Sequence, residues 1–514
     1  MKTVARERML GVDLGTSSCK SVLIDETGQV IGSVSECYPT YTPKPGWAEQ
    51  YPEHWYNAFT KSIRRLMRTT GVRPSNISSL CIDGMLSSPV YLDAKGRILR
   101  STIIWMDQRS AAQASWLEEK VGKDRFFRET YNPVTATLAL PKMLWVKENQ
   151  PDLWRRTHKI LFPKDYLRFR VTGEWMTDLS EASSILLFNR ERNDWSDEIL
   201  QLTGIDREKL PKTLPSTKVV SQLTRAKAKE MALEEGIPVV VGCVDAAADC
   251  LASGSVEPGD CMVRLGTNGS FHIITGKATG DPYGRAFSFY HCLPERHILE
   301  AFTPSGIAHK WFTDTFFDTK PERTGRSRDP YRAMEELAKK SPLGSNGLIF
   351  HPYVTGEHSP RRSPHLKGAF LGIGAHHRKA DFARAVLEGM AFSLNECLLV
   401  LREIQTSIKS IRLVGGGARS AFWRSMITDV FGVRTETTAV EDASFGAAIL
   451  GGIGAGVFES YRKAVESCIK VTDTAGPSMS RHKRYAELYG IHVESRESIQ
   501  EHHRQIDDFL LKRP

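Results

Sequence analysis

The groups in this chain with the clearest chemical potential lie in two short, similar runs. Val12-Asp13-Leu14-Gly15-Thr16-Ser17 is echoed by Val263-Arg264-Leu265-Gly266-Thr267-Asn268 at a constant offset of 251 residues. A Gly-Thr turn between two strands aims successive backbone N–H groups and hydroxyls at one point, which makes an anion-binding nest without a P-loop. Two such turns can hold the phosphates of one nucleotide, or they can be plain hairpin turns. Asp13 beside the first turn favours phosphates. A carboxylate next to a phosphate nest is repulsive unless a cation intervenes, and Mg²⁺ is the usual one. Lys20, on the following strand, has the reach to touch the same phosphates.

Three strand-to-helix junctions carry further polar groups. Asp245 follows the apolar run Val239–Val244 and opens a small-residue segment. Ligands in open α/β sheets gather at the carboxyl ends of strands, so Asp245 is either a general base or a helix N-cap. Trp105-Met106-Asp107-Gln108-Arg109 offers groups that bind hydroxyls, or else a cap at Asp107 with solvated neighbours. Gly415-Gly416-Gly417-Ala418-Arg419-Ser420 follows a predicted strand, Ile411–Val414, and precedes a predicted helix over about Ala421–Phe431. It has Ser where a dinucleotide fingerprint has its third glycine, so it gives NAD weak support. Its glycines either let a ring or ribose approach the backbone or form an ordinary turn. The Walker, GxSxG and HExxH patterns are absent, and His376-His377, followed by Arg378-Lys379, reads as a solvated turn.

These residues need an α/β framework to position them. The opening reads as a β-meander over Met9–Leu14, Lys20–Asp25 and Gln29–Cys37. A helix over about Glu53–Thr69, stopping at Gly71, then leads to a strand over Ile77–Asp83, and a helix is expected to start near Asp107. Strand and helix signals keep alternating, which argues for α/β. The repeated Gly-Thr run suggests two halves of about 250 residues with duplicated architecture. The expected division is residues 1–256, 257–476 and a polar, basic helical appendage over 477–514. With 41% hydrophobic and 25% charged residues in 514, disordered and fibrous classes are excluded. The net charge of +9 is small for this length, and no Lys/Arg run interleaves with aromatics, so a nucleic-acid partner is not expected. The nine cysteines are scattered with no CxxC, and the start to Asp13 lacks the apolar core of a signal peptide. The longest uncharged apolar stretch, Phe445–Phe458, has 14 residues, too short for a bilayer. A cytoplasmic protein with no membrane partner is expected.

In order along the chain, over about residues 9–457, these segments resemble the FGGY carbohydrate kinases, and within them the xylulokinases. The resemblance is carried by Gly11–Ser17, Ile104–Arg109, Phe162-Pro163-Lys164-Asp165-Tyr166-Leu167-Arg168, Pro352–Glu357, Lys367–Phe370, Leu413–Ser420 and Ser444–Ala448. It implies a duplicated actin/hexokinase-type (ribonuclease H-like) ATPase fold, with sugar and ATP meeting in a cleft whose closure excludes water. It implies Asp245 as the catalytic base and Asp13 as the acid that holds Mg²⁺. Thr16, Ser17, Lys20, Gly266 and Thr267 would contact the ATP phosphates, and Gly306, Gly416, Gly417 and Ser420 would line the nucleotide site. Met85, Leu86, Ser87, Trp105, Asp107 and Asp245 fall where such enzymes hold the sugar. The implied reaction is phosphorylation of D-xylulose to its 5-phosphate, by an enzyme that is often a homodimer. Other substrates, of the ribulose, L-xylulose, erythritol or glycerol type, and a non-catalytic sensor on the same fold are the alternatives. Three departures fall near the sugar. Xylulokinases usually read Gly-Gln-Met-His-Gly where this chain has Gly84-Met85-Leu86-Ser87-Ser88, Trp-Asn-Asp where it has Trp105-Met106-Asp107, and Asn where it has Ala246.

Overall fold

The computed structural model describes residues 7–317, 329–357, 359–361, 363, 365–405 and 407–511. The chain forms two compact units, and neither is a single run of sequence. The first comprises Met1–Pro258, Ile274–Leu299 and Ala439–Lys470, and the second Gly259–Ile273, Glu300–Thr438 and Val471–Pro514. A sequence division at residues 256 and 476 does not show these returns, because the segments that cross over have no compositional mark.

The first unit is built on a six-stranded sheet. Its strands are β1 (Arg8–Leu14), β2 (Ser18–Asp25), β3 (Val30–Cys37), β4 (Ile77–Gly84), β5 (Val219–Gln222) and β6 (Pro238–Val240), in the order β5-β6-β4-β1-β2-β3. The expected meander is present: β1, β2 and β3 pair antiparallel, while β1–β4 and β4–β6 pair parallel. The second unit uses β7 (Asp260–Leu265), β8 (Gly269–Thr275), β9 (His297–Thr303), β10 (Ser410–Val414), β11 (Thr435–Thr438) and β12 (Val471–Ala475), in the order β9-β8-β7-β10-β11-β12. The pairing again passes from an antiparallel hairpin to two parallel neighbours and an antiparallel edge strand. The same order around β1 and β7 is the duplication that the repeated run announces. The copies differ at the turn: four residues separate the paired Leu14 and Cys19, but three separate Leu265 and Gly269.

Two small-residue helices fix the parallel edge of the first sheet. The Ala443–Gly454 helix packs on β1 and on the Asp245–Ser253 helix. Gly446 permits the second contact, since a Cβ there would overlap the Ala248 carbonyl oxygen. The helix expected near Asp107 begins at Ala111, because Asp107 is held in the preceding loop. The basic tail forms a helix, Met479–Leu511, that buries Tyr485, His492 and Arg496 within the second unit and ties Arg496 to Glu396.

Lys142, in the Ala139–Asn149 helix, is fully buried, and its ammonium donates to the carbonyls of Thr137 and Leu138. Burial pushes its pKa down to about 7, against an opposing pull from the Asp107 charge. Between that value and the ordinary lysine range, the unfolded chain holds one more proton than the folded one, so stability rises with pH. The expected slope is at most about 1.4 kcal/mol per pH unit above pH 7. Lys142→Met removes it. Urea titrations of both proteins at pH 6, 7.5 and 9 check this, and parallel stability curves would count against it.

Candidate functional site

In the first unit, the parallel strands deliver carboxylates to one edge. Asp13 of β1 lies in register with Asp83 of β4, and Gly84 bridges to Val244, which leads into Asp245. Val244 takes the N-cap position and Asp245 the first helical position, so Asp245 is not the cap that the sequence offered as an alternative. Its Oδ1 accepts from the Ala246 amide at 2.8 Å, and its side chain is half-buried. Asp249 follows on the same helix. The Asp13 carboxyl is pushed up to about 7, first by burial and then by the charges of Asp245 and Asp249.

The first Gly-Thr turn stands at the end of this strand pair. The Gly15 amide donates to the Ser18 carbonyl at 3.1 Å, and the hydroxyl of Tyr38 donates to the Gly15 carbonyl, which fixes the loop. Thr16 Oγ1 accepts from Trp105 Nε1 at 3.0 Å, so two predicted site residues meet here, while Ser17 is exposed. Lys20 pairs with Asp442 at 2.9 Å, an acidic partner that the sequence reading did not single out.

The residues expected near the sugar are held by the chain itself. Met85 is buried, and its amide donates to the Leu14 carbonyl at 3.0 Å; Leu86 is half-buried. Ser87 is buried at φ 56°, with its amide donating to Glu181 Oε1 at 2.9 Å and its hydroxyl to the Ser184 carbonyl at 3.1 Å. Asp107 is buried and accepts from the Ala48 amide and from the backbone and guanidinium of Arg109. It caps no helix, since Ser110 precedes the helix start. Met106 is 42% exposed, and Ala246 is buried.

Sequence reasoning missed the group that holds this edge in place. Lys164 is fully buried between Asp165, at 2.7 Å, and Asp178, at 2.8 Å. Asp178 accepts from the Ser180 hydroxyl, and Ser180 Oγ in turn accepts from the Val244 amide at 3.0 Å. The Pro163-Lys164-Asp165 run was visible in the sequence, but Asp178 and Val244 lie 14 and 80 residues beyond Lys164.

In the second unit, the nucleotide candidates converge on the end of β7. The Gly266 amide donates to the Asn268 carbonyl at 3.2 Å, and Gly266 and Thr267 are exposed. Gly306, second in the Ser305–Phe316 helix, packs directly on this turn: a Cβ there would overlap the Gly266 carbonyl oxygen. That contact brings a helix N-terminus beside the turn, an arrangement suited to anions. Gly415 and Gly417 pack on Leu265, Gly416 is exposed, and Ser420 caps the Ala421–Phe431 helix by accepting from the Trp423 amide. Position Asp13 of the first copy is Arg264 in the second, so the duplicated scaffold carries an acid in one unit and a base in the other. Gly306→Ala overpacks the turn at a cost of about 1–3 kcal/mol. On the assignment of Gly306 to the nucleotide site that the sequence resemblance implies, the KM for ATP is expected to rise about tenfold or more, with a much smaller change for the sugar. Paired steady-state titrations of the two substrates check this.

Residues 8–252 match the N-terminal domain, and residues 261–455 the C-terminal domain, of the FGGY family of carbohydrate kinases. The chain belongs to that family. It is 32% identical to a xylulose kinase of Staphylococcus epidermidis over 510 residues, 99% of each chain. It is 30% identical to a gluconokinase of Bacillus subtilis over 507 residues, 98% of each chain. Its fold matches that of a ligand-bound xylulose kinase from Lactobacillus acidophilus with a TM-score of 0.90 at 24% identity, covering 97% of this chain and 100% of that one. As an FGGY kinase the chain is an ATP-dependent sugar phosphotransferase on the duplicated actin-like ATPase fold, as the sequence resemblance implied. Among the described residues, no helix is long and apolar enough to cross a membrane.

Proposed function

We propose that this FGGY kinase transfers the γ-phosphoryl group of Mg-ATP to a hydroxyl of D-xylulose, giving D-xylulose 5-phosphate. The observation that carries the reading is Asp245: a half-buried carboxylate at a helix N-terminus, at the carboxyl end of parallel strands that also deliver Asp13. Asp245 accepts the proton of the attacking hydroxyl. Thr16 and Ser17 of the first turn, with Lys20, and Gly266 and Thr267 of the second, contact phosphates. Gly306, Gly416, Gly417 and Ser420 line the nucleotide site. Asp13 fits a divalent cation, since its buried Oδ1 has no hydrogen-bond partner among the described residues. When bound, that cation neutralises charge on the phosphates. The protein's share in phosphoryl transfer is positioning and electrostatic stabilisation.

Full-length relatives named for xylulose favour the pentulose. Ser87, Met106 and Ala246 set the sugar's surroundings. The Ser87 hydroxyl spends its proton on Ser184, so it can only accept from a ligand, and Ala246 offers no polar side-chain atom. A buried sugar hydroxyl left unpaired costs roughly 1–3 kcal/mol. Gluconate is the second reading, on the strength of the gluconokinase relatives. ADP release with Mg-ATP and D-xylulose, D-ribulose, L-xylulose, gluconate, erythritol or glycerol decides between them. The expected result is the highest kcat/KM on D-xylulose. Preference for another compound would keep the kinase and move the substrate.

A further inference from the structure

Asp83 is the least explained residue of the first unit. It is fully buried, and neither carboxylate oxygen has a hydrogen-bond partner among the described residues. Its in-register neighbour across the parallel pair is Asp13, whose Oδ1 is likewise buried and unpartnered. Adjacent strands run about 4.8 Å apart, and in-register residues project to the same face, so the two carboxyl groups face one another. The titratable side chains that act on this pair from neighbouring segments add no positive charge: Cys243, Asp245 and Asp249, the last two from the Asp245–Ser253 helix, and Asp442. Lys20 of β2 is in register with Asp13 but turns to Asp442 instead. Lys164 is taken by Asp165 and Asp178.

Two unpaired carboxylates buried side by side cost several kcal/mol per charge unless something positive lies between them. An all-oxygen pair of this kind suits a hard divalent cation. Mg²⁺ keeps several waters and takes only one or two carboxylates, the remaining ligands coming from substrate phosphates. Among the described residues, no three His, Cys, Asp or Glu side chains converge to hold a metal by themselves.

We infer that Asp83 joins Asp13 in holding the divalent cation, so that the cation is gripped from two adjacent strands rather than one. The inference rests on the kinase reading, which assigns the cation to Asp13. Asp83 is a positioning residue here: it sets where the cation stands relative to Thr16 and Ser17 of the adjoining turn.

The test is Mn²⁺ binding to the full chain with saturating ADP, followed by the loss of the free-ion electron paramagnetic resonance signal. It is run on the wild type, Asp83→Asn and Asp13→Asn. Asp83→Asn is expected to weaken Mn²⁺ binding at least tenfold while the thermal unfolding midpoint in metal-free buffer holds or rises, because a buried charge is gone. Should the amide disturb the fold, Asp83→Ser carries the same comparison. Unchanged Mn²⁺ affinity in the Asp83 variants, with weakened binding in Asp13→Asn, would overturn the inference: the pair would then share a proton and Asp13 would hold the cation alone. Unchanged affinity in both sets would remove the metal role of Asp13 as well.

Discussion

Asp245→Asn lowers kcat by about 10²–10⁴-fold, the usual contribution of a positioned general base. The KM for ATP and the thermal unfolding midpoint stay close to wild type. The substitution keeps the shape of the side chain and the Oδ1 acceptor that meets the Ala246 amide at 2.8 Å, so the helix start survives. What it removes is the negative charge and the basic lone pair. A hydroxyl proton becomes acidic late in a loose phosphoryl-transfer transition state, so a carboxylate of ordinary basicity is sufficient and its loss falls on kcat. ADP release under saturating sugar and ATP, with circular dichroism as the fold control, gives the answer. A fall of less than tenfold would move the base elsewhere, and Asp249, further along the same helix, is the next carboxylate to examine.

The parts of this picture legible in the sequence are those encoded locally. The meander, the Pro52–Thr70 helix with its stop at Gly71, and the strand–turn–helix around Gly415 all follow from periodicity and glycine placement. The repeated Gly-Thr run correctly announced two sheets of one topology, although the shortened second turn does not show in an ungapped repeat. Pairing between distant strands was not legible. Asp83 lies in a run read only as a strand, and its significance appears when β4 is placed in register with Asp13. Asp107 was read by residue type as a group able to bind a ligand, and Ser87 was placed at the sugar by the family resemblance; Arg109 and Ala48 engage the Asp107 carboxylate, and Glu181 and Ser184 take the amide and hydroxyl protons of Ser87. No local pattern signals that a side chain is occupied by a residue many positions away.

Lys164→Met destabilises the first unit by about 3–5 kcal/mol, the range for breaking a buried ion pair by removing one partner. The cluster is balanced as it stands. Lys164 and Arg168 face Asp165 and Asp178, while burial drives the Glu181 carboxyl well above the ordinary range. Burial works against the Asp178 charge too, but the charge and hydrogen bond of Lys164 and the hydroxyls of Ser180 and Ser216 overcome it and hold that carboxyl below its usual value. Methionine fills similar volume yet leaves one carboxylate in excess at a site with no exposure. The loss travels further than stability. Asp178 orients Ser180, and Ser180 receives the Val244 amide that immediately precedes Asp245; Glu181 receives the Ser87 amide. Lys164→Met therefore loosens the proposed base and the proposed sugar contact together, and kcat is expected to fall even at temperatures where the protein remains folded. Ser180→Ala separates the two effects. It removes the acceptor for Val244 and one hydroxyl donor to Asp178, at about 1–3 kcal/mol, while the ion pairs of Lys164 and Arg168 with Asp165 and Asp178 remain. Its kcat is expected to fall more, relative to its stability loss, than that of a volume-matched core variant. Thermal unfolding and steady-state rates measured on both variants would show this, and a Ser180→Ala protein with wild-type kcat would confine the cluster to a role in stability alone.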